Sequence, residues 1–560
     1  MFAKHVFNYC GTSLSSSLLY CLSTNLSIMS WSLPFKIAYS ICVSVIFILP
    51  ALVGYALRLR VVSMGFLALG VYGLVVLIFI VLQLIFATLN RIHAVRFRRK
   101  ENKVEPEKGH DYHKVGLAVV GYRESPELFS QCLMSIKQLD YPLPLKIVVV
   151  IDGDGQEDYE MAHVFEKEFS DSPVISIPYL LSEATEDEKL EFKKLCDTAP
   201  QVSCYLQPHR GKRHAMYTAF RFLMASGSDA VMTTDSDTKF DSRAILELER
   251  ALHWYGNVGA AAGDVRIWNT GNLLSFMSSL RYWMAFNIER AAQSFNRCVT
   301  CVSGPMGMYK ASALEEVLEK WIKQRFLGME CTYGDDRHLT NRVLLKGHQV
   351  VYTHLAFCDT ETPENFLRWF KQQTRWSKSF YRELLWNAKS IHKHSPWMAA
   401  ELFYQGLYPF ILMFSIFFTL WARVPLVLVT WLASLVGIGL IKMFYALVVS
   451  RNIRFLAFPL YSLYYLLGLV PAKLWALVSM WDVGWGTSAR SATELKRETQ
   501  IFLRFKEFLP ILFWWSIMLA GVIFNLTFYF VHPPLLPSDI SQPTSIVFYP
   551  NPAMIGVAGY

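Results

Sequence analysis

The sequence predicts an α/β domain, built on a mainly parallel sheet, that is inserted between two groups of membrane-spanning helices. Of the 560 residues, 53% are hydrophobic and only 18% are charged. This chain is too apolar for an ordinary soluble protein and too polar for a bundle of spans alone. Between about 113 and 380, short β-branched runs alternate with amphipathic stretches, which is the pattern of a parallel sheet covered by helices.

The membrane part begins with two apolar stretches, 37–57 and 65–89. Each is long enough to cross about 30 Å of hydrocarbon as a helix. Five basic residues follow the second stretch, namely Arg91, Arg96, Arg98, Arg99 and Lys100. The short turn before it carries only Arg58 and Arg60. The positive-inside rule therefore places the α/β domain in the cytosol.

Six segments follow from this pattern. They are an N-terminal cytosolic segment (1–36), a transmembrane hairpin with its basic flank (37–100), the α/β domain (101–365), interfacial amphipathic helices (366–405), a transmembrane and re-entrant region (406–531) and a C-terminal tail (532–560). We expect no signal peptide, because the first residues contain no clear cleavable apolar core.

Three further stretches in the C-terminal half, 406–421, 424–448 and 509–531, are long enough to span. The stretch 455–480 is interrupted by prolines, and we predict that it is interfacial or re-entrant. Five spans would then leave the C-terminus outside.

Acidic residues follow two of the predicted strands. Asp152 follows the run Leu145–Ile151, and Asp235 and Asp237 follow Ala230–Thr234. Open α/β sheets bind their ligands at these strand ends. An acidic turn is often only a solvated loop, but the pair Asp235 and Asp237 also suits a divalent cation on a diphosphate, because hard cations bind carboxylate and phosphate oxygens together.

Two predicted helix starts carry further charges. Gly211, Lys212 and Arg213 would offer backbone amides and two cations to a phosphate, although the loop is not a Walker A motif. Asp335 and Asp336 begin another helix, and there we predict Asp335 as the cap and Asp336 as a general base.

Gln372, Arg375 and Trp376 lie within about one helical turn and can share a face. Arginine offers a fork to a diphosphate, and tryptophan offers a plate on which a sugar can stack. The alternative role of this Arg-Trp pair is that of a membrane anchor. The turn Trp485-Gly486-Thr487-Ser488 interrupts the apolar C-terminal region.

Charge and cysteine content exclude other classes. The net charge is +9, but no long basic tract with interleaved aromatic residues exists. We therefore expect membrane lipid and a phosphorylated substrate as partners, and no nucleic acid. Cys298 and Cys301 form a lone CxxC among ten cysteines, and we expect reduced buried thiols.

Eight motifs occur in an order that resembles the processive, membrane-integrated glycosyltransferases, a family that includes cellulose, chitin and hyaluronan synthases. The likeness covers roughly 35–530 and is greatest to the vertebrate-type hyaluronan synthases. The motifs are Gly121-Tyr122-Arg123-Glu124, Gln207 to Arg213, Asp235 to Thr238, Gly263-Asp264-Val265-Arg266-Ile267, Ser278 to Trp283, Gly334-Asp335-Asp336-Arg337, Gln372 to Trp376 and Trp485 to Ser488.

This resemblance implies a GT-A-type (Rossmann-like) domain that uses UDP-N-acetylglucosamine and UDP-glucuronic acid with Mg²⁺ or Mn²⁺. It also implies export of the nascent hyaluronan through the enzyme's own channel in the plasma membrane. We infer no obligatory protein partner. The family usually has another span after the one that ends near 531, and this chain has a polar tail there instead.

The resemblance also implies residue roles. Tyr122 and Asp152 would hold the uridine, and Asp235 and Asp237 the metal and diphosphate. Lys212 and Arg375 would contact phosphate, Asp336 would be the base and Trp376 would line the acceptor site. Trp485, Gly486 and Thr487 would gate the nucleotide. The remaining substrate-binding predictions from these motifs are Arg123, Arg213, Asp264 and Gln372.

Two other functions stay open at this point. A chitin-synthase-like polymerase would use UDP-N-acetylglucosamine only, with the same metal, base and tryptophan. A transporter with a nucleotide-binding domain is disfavoured by the scarcity of charges within the predicted spans.

Overall fold

A nine-stranded mixed sheet forms the centre of the α/β domain. The computed structural model describes residues 71–102, 112–421, 425–482 and 505–531, together with a few helical residues between 34 and 45. The strands are β1 (Val115–Gly121), β2 (Lys146–Asp152), β3 (Val174–Ser176), β4 (Val202–Gln207), β5 (Ala230–Asp235), β6 (Lys239–Phe240), β7 (Val258–Ile267), β8 (Gly307–Lys310), β9 (Arg325–Phe326), β10 (Met329–Glu330) and β11 (Gln349–Thr360).

The strands of the large sheet follow the order β3-β4-β2-β1-β5-β8-β7-β11-β6. The first five are parallel, whereas β8 runs antiparallel to both of its neighbours. Every residue of β1 is buried. A continuous apolar run such as this strand is expected where helices cover both faces of a parallel sheet. Because β1 lies between β2 and β5, the acids that end those two strands come to one edge of the sheet.

Seventeen α-helices belong to the described residues. They are α1 (Val71–Glu101), α2 (Pro126–Lys137), α3 (Tyr159–Glu168), α4 (Glu186–Thr198), α5 (Lys212–Ala225), α6 (Ala244–Leu252), α7 (Leu273–Met284), α8 (Ala291–Phe295), α9 (Ala311–Glu315), α10 (Leu318–Ile322), α11 (Asp335–Lys346), α12 (Phe366–Asn387), α13 (Pro396–Trp421), α14 (Pro425–Ser450), α15 (Phe458–Tyr464), α16 (Val470–Val478) and α17 (Phe505–Val531). Two π-helical segments, Ala285–Arg290 and Tyr465–Leu469, connect α7 to α8 and α15 to α16.

Five helical segments of the described chain are long and apolar enough to cross a membrane, so the chain is a membrane protein. They are Val76–Glu101, Pro396–Phe417, Trp431–Ser450, Ile453–Val478 and Phe508–Phe528. The first predicted span, 37–57, falls almost entirely outside the described residues. The sequence predicts a boundary between interfacial helices (366–405) and a transmembrane region (406–531). The structure has no break there, because 405 and 406 both lie inside the single continuous helix α13.

The long helices pack with defined directions. Phe86 contacts Trp397 and Phe79 contacts Tyr404, so α13 runs antiparallel to α1. The end of α1 carries the basic residues and leads into the domain, which means that α13 runs away from the domain. Lys442 Nζ lies 3.3 Å from Met284 Sδ, so the end of α14 returns to the domain.

The segment that follows α14 stays near the domain at both ends. Phe455 packs against Trp283 of α7, with 4.7 Å between the ring centroids. At the other end, Asp482 accepts a hydrogen bond from Lys378 Nζ of α12 at 3.2 Å. This segment has the length and composition of a span, yet one of its ends contacts α7 and the other contacts α12.

Candidate active site

One cavity of about 1450 Å³ opens at the carboxyl ends of β1, β2 and β5. Its walls include Tyr122, Asp152, Asp235 and Asp237, all of which the sequence predicts as site residues. The same cavity continues to residues of the apolar helical segments, among them Gln405, Tyr465, Leu469, Lys473 and Phe508. The cavity therefore extends from the polar end of the sheet to residues of the apolar helical segments.

Asp152 organises the loop before α5. Its carboxylate accepts hydrogen bonds from the backbone amides of Arg210 at 3.1 Å and Gly211 at 2.9 Å. His209 Nδ1 lies 2.9 Å from the same carboxylate, and this hydrogen bond raises the pKa of His209. The Gly211 amide, which we predicted for a phosphate, is thus already engaged by Asp152.

Tyr122 follows β1 and stacks on the ring of His209, with 4.2 Å between the ring centroids. The two rings stand beside Asp152 at the cavity wall. Because each ring covers one face of the other, the stacked pair offers an outer ring face as an aromatic surface, with a carboxylate beside it. A planar heterocycle can stack on such a surface while the carboxylate accepts its N–H groups.

Lys212 and the acids after β5 form the polar floor of the cavity. Lys212 Nζ donates to the Asp235 carboxylate. Burial alone would lower the pKa of Lys212, but this carboxylate raises it above the usual value. Gly304 faces the pair: a Cβ there would stand 3.2 Å from Lys212 Nζ and 3.3 Å from Asp235 Oδ1. The glycine therefore leaves open the space in front of these two charges.

The start of α11 differs from the prediction in one respect. Gly334 is the N-cap residue, with φ of +79°, and the helix has no side-chain cap. Asp335 is instead held by the buried Arg213, 2.6 Å from its Nε. A buried guanidinium needs a carboxylate more than a solvated helix end does, because an unpaired buried charge costs several kcal/mol. The predicted cap role of Asp335 is therefore wrong.

Asp336 lines the cavity. Its Oδ1 accepts a hydrogen bond from the backbone amide of Arg337 at 2.7 Å, and its Oδ2 lies 3.5 Å from Cys301 Sγ. The pKa of this thiol is raised, first by burial and then by the Asp336 charge, so the thiol is a donor and not a competing anion. Asp336 keeps oxygen lone pairs for a group in the cavity.

The helix α12 brings three predicted residues to the cavity: Gln372, Arg375 and Trp376. Trp376 is 39% exposed and meets Tyr282 edge to face at 5.8 Å. Burial lowers the pKa of Arg375, with Asp335, Asp336 and Asp235 acting in the opposite direction. This guanidinium stays charged, because arginine does not deprotonate in proteins.

Three predicted substrate-binding residues lie away from the cavity wall in the described part of the chain, each with protein partners. Arg123 Nε lies 2.9 Å from Asp158 Oδ1. Arg213 holds Asp335, as described above. Asp264 accepts from Arg266 and from Asn287, both at 3.0 Å. The predicted gate residues Trp485, Gly486 and Thr487 lie outside the described residues.

Sequence reasoning missed His209, Cys301 and Gly304 as site residues. His209 stands in a predicted motif, and its contact with Asp152 could have been expected from the meeting of two strand ends. Cys301 was considered only as part of a CxxC pair. In the structure its thiol lies near Asp336, whereas Cys298 Sγ lies near the Gln293 carbonyl. Seven of the eight described cysteines are buried, and all eight are free.

Residues 179–379 match the family model described as "Glycosyltransferase like family 2". A mannosyltransferase from Pyrobaculum calidifontis, solved with GDP-Man and Mn²⁺, covers 71% of this chain and 99% of its own at 17% identity and a TM-score of 0.36. The family match and the strand order confirm the predicted GT-A-type (Rossmann-like) α/β domain.

Longer alignments come from named relatives. Hyaluronan synthase 3 of Mus musculus is 37% identical over 471 residues, which cover 82% of this chain and 83% of that protein. Hyaluronan synthase 2 of Rattus norvegicus is 38% identical over 472 residues, 82% of each. Hyaluronan synthase 1 of Xenopus laevis is 38% identical over 482 residues, 82% of this chain and 79% of that protein. At this identity over most of both sequences, the chain is a glycosyltransferase that belongs to the hyaluronan synthase family.

Proposed function

We propose that this protein polymerises hyaluronan from UDP-N-acetylglucosamine and UDP-glucuronic acid and moves the polymer through its own membrane helices. The observation that carries the proposal is the continuity of the cavity. Its lining begins at the acids that end β2 and β5 and includes Gln405 of α13 and Phe508 of α17, two of the proposed spans. A polymerase that releases a soluble product would not need such a passage. The named relatives make a chitin-synthase-like function the less favoured alternative.

The donor nucleotide would lie at the end of the cavity formed by the strand ends. Uracil would stack at Tyr122 and His209, and its N–H would donate to the Asp152 carboxylate. The diphosphate would then extend toward Lys212 and Arg375, whose side chains line the same space. Two cations in a partly dehydrated site stabilise a diphosphate more strongly than they would in water.

Asp235 and Asp237 fit a divalent metal such as Mg²⁺ or Mn²⁺. Both carboxylates line the cavity, and Gly304 leaves open the space that a Cβ would fill beside Asp235. Oxygen donors of this kind match the preference of hard cations. When bound, the metal would neutralise charge on the departing diphosphate. Lys212 supplies a positive charge at the same carboxylate from the chain itself.

The transfer step needs one base and no covalent intermediate. The acceptor hydroxyl gives its proton to Asp336, and its oxygen forms a bond to the anomeric carbon. The bond between that carbon and the diphosphate oxygen breaks, and UDP leaves with the electron pair. This single displacement inverts the anomeric carbon. Asp336 is suited to this task because the Arg337 backbone amide and the Cys301 thiol hold its carboxylate beside the cavity on the first turn of α11.

Trp376 would hold the acceptor sugar, since its partly exposed ring lines the cavity. Beyond it the lining contains Arg290 and Lys473. Two π-helical segments contribute to the same wall, through Glu289 and Arg290 and through Tyr465 and Leu469. Segments of this type widen a helix and often mark functional sites. Mixed charges and rings suit an anionic polymer that must bind weakly and keep moving.

The most direct test uses purified protein and defined donors. We expect long polymer only when both UDP-sugars are present with the metal, and we expect hyaluronidase to degrade that polymer. Long polymer from UDP-N-acetylglucosamine alone would contradict the proposal. In sealed vesicles with the domain outside, the new polymer should be protected from added hyaluronidase until detergent is added.

We further propose that the domain is cytosolic at the plasma membrane and that 453–482 lies along the membrane surface without crossing. The contacts of Phe455 and Asp482 with the domain support this arrangement. Single cysteines at the exposed positions Ile453 and Val478 should react with an impermeant thiol reagent from the same side, and a cysteine at Val531 from the opposite side. Labelling of the first two from opposite sides would refute the surface placement.

A further inference from the structure

A cluster of two histidines and a glutamate lies on the domain far from the cavity described above. Glu249 Oε1 stands 3.0 Å from His113 Nδ1 and 2.8 Å from His253 Nε2. The two imidazole rings stack with 4.6 Å between their centroids. One ligand atom from each residue lies within 4.8 Å of the others, which is close enough for a single cation to contact all three.

Glu249 is the buried member of this cluster. The Glu249 side chain is fully buried, and its Oε2 has no hydrogen-bond partner within the described residues. A carboxylate oxygen that is withdrawn from water without a partner costs free energy, and a missing ion is one standard explanation. The histidines remain 21% and 36% exposed, so a cation could reach the site from solvent.

The cluster also occupies a definite place in the architecture. Glu249 belongs to α6, and His113 stands two residues before β1. On the same helix, Arg250 contacts Glu101 at 3.4 Å and the Asn102 side chain at 2.9 Å, at the end of α1. The helix α6 therefore holds both ends of the connection between the membrane helix α1 and the first strand of the catalytic domain.

We propose that His113, Glu249 and His253 bind a Zn²⁺-class divalent cation that fastens the first strand of the domain to α6. Two imidazoles and one carboxylate with an open fourth position form a common zinc ligand set. Tetrahedral zinc needs ligand atoms about 3.3 Å apart. The two distances from Glu249 to the histidines, 3.0 and 2.8 Å, would therefore have to open only slightly. Mg²⁺ prefers oxygen ligands, which separates this site from the metal proposed for Asp235 and Asp237.

Zinc binding to the full-length protein in detergent tests the site directly. After chelator treatment, the protein would be titrated with Zn²⁺ in excess Mg²⁺, which occupies oxygen sites. We expect the unchanged protein to bind about one more Zn²⁺ per molecule than either variant, Glu249→Gln or His253→Ala. Since loss of an outer-shell partner alone lowers metal affinity about 10–100-fold, loss of a ligand should lower it at least as much.

His163→Ala is the matched control, because His163 forms an exposed pair with Glu166 at 3.2 Å and has no third ligand among the residues that the structure describes. This variant should bind Zn²⁺ like the unchanged protein. The Asp237→Asn background should retain the same binding, so failure of the proposed catalytic metal site would be seen separately. Equal Zn²⁺ binding by the unchanged protein and Glu249→Gln would overturn the proposal.

A second readout needs no variant. Diethyl pyrocarbonate modifies accessible imidazoles, and mass spectrometry reports each histidine separately. We expect Zn²⁺ to protect His113 and His253 and to leave the modification of His163 unchanged. Protection of none of these residues, or of all three equally, would contradict a specific site even if the variants failed to fold.

Discussion

His338 Nδ1 lies 2.9 Å from Glu383 Oε2, and both side chains are fully buried. Burial lowers the pKa of His338 to about 4, so the ring is neutral near pH 7. Its Nε2 accepts a hydrogen bond from Arg342 Nε at 3.1 Å, which leaves Nδ1 as the protonated nitrogen that donates to Glu383. His338 lies on α11 together with Asp336, and Glu383 lies on α12 together with Trp376. The hydrogen bond between His338 and Glu383 thus connects the helix of the proposed base to the helix of Trp376, which we propose holds the acceptor sugar.

Glu383→Ala should therefore destabilise the protein strongly. The carboxylate also accepts hydrogen bonds from Gln324 at 2.7 Å and Asn341 at 3.1 Å, so its removal leaves several buried donors without a partner. Loss of one member of a buried charged network costs about 3–5 kcal/mol. Thermal unfolding in detergent should report this loss, and Glu383→Gln should recover part of it.

The matched control for this prediction is Glu316→Ala. Glu316 contacts Lys346 and His348, both at 3.2 Å, but it is 44% exposed. Exposed pairs contribute about 1 kcal/mol or less. Equal shifts in Tm for Glu316→Ala and Glu383→Ala would show that the buried network does not hold the two helices together.

Asp336→Asn should abolish polymer formation and leave UDP binding nearly unchanged. The amide keeps the volume and can still accept a hydrogen bond from the Arg337 backbone, but it cannot take a proton from the acceptor hydroxyl. A general base contributes about 10²–10⁴-fold to a rate. Polymer yield and UDP affinity would be measured on the same preparation, with Asp187→Asn on the exposed first turn of α4 as the control. Normal polymer yield from Asp336→Asn would remove the base assignment.

Sequence patterns predicted the strand-end part of the site well, because its determinants are local. An apolar run followed by an acid suffices to place Asp152 and Asp235 at one sheet edge. The directions in which the neighbouring side chains of Lys212 and Arg213 point could not be predicted in this way. Adjacent helical residues point about 100° apart. Lys212 therefore reaches Asp235, whereas Arg213 turns to Asp335, which is 122 positions away in sequence.

The same distinction applies to the membrane part. Apolar length predicts that 509–531 can span, and α17 confirms a helix there. Length alone cannot decide the course of 453–478, which also has spanning composition. Trp283 and Lys378 contact the two ends of this segment. These contacts depend on how the domain packs, so the hydropathy of the segment alone cannot predict them.

His209 predicts a pH-dependent contribution to stability. Its hydrogen bond to Asp152 raises its pKa in the folded protein above the ordinary value of 6.5. The stabilisation is therefore fully present below about pH 6.5 and is lost as the pH rises through the raised pKa. The difference in Tm between the unchanged protein and His209→Gln should be largest at low pH and shrink on raising it. A difference that grows with pH would contradict the ion pair. His163→Gln provides the exposed control.

Gly304→Ala should weaken donor binding more than it weakens the fold. The new methyl group would stand 3.2 Å from Lys212 Nζ and 3.3 Å from Asp235 Oδ1, in the space where we place the diphosphate. The Lys212 side chain is flexible and can shift, so we expect a small change in Tm. UDP affinity should fall by about tenfold or more, because a displaced charge loses about 1.4 kcal/mol or more of its interaction with the ligand. Gly271→Ala is the control, since a Cβ there meets nothing within 4 Å. Unchanged UDP affinity in Gly304→Ala would mean that the diphosphate does not occupy the space in front of Lys212 and Asp235.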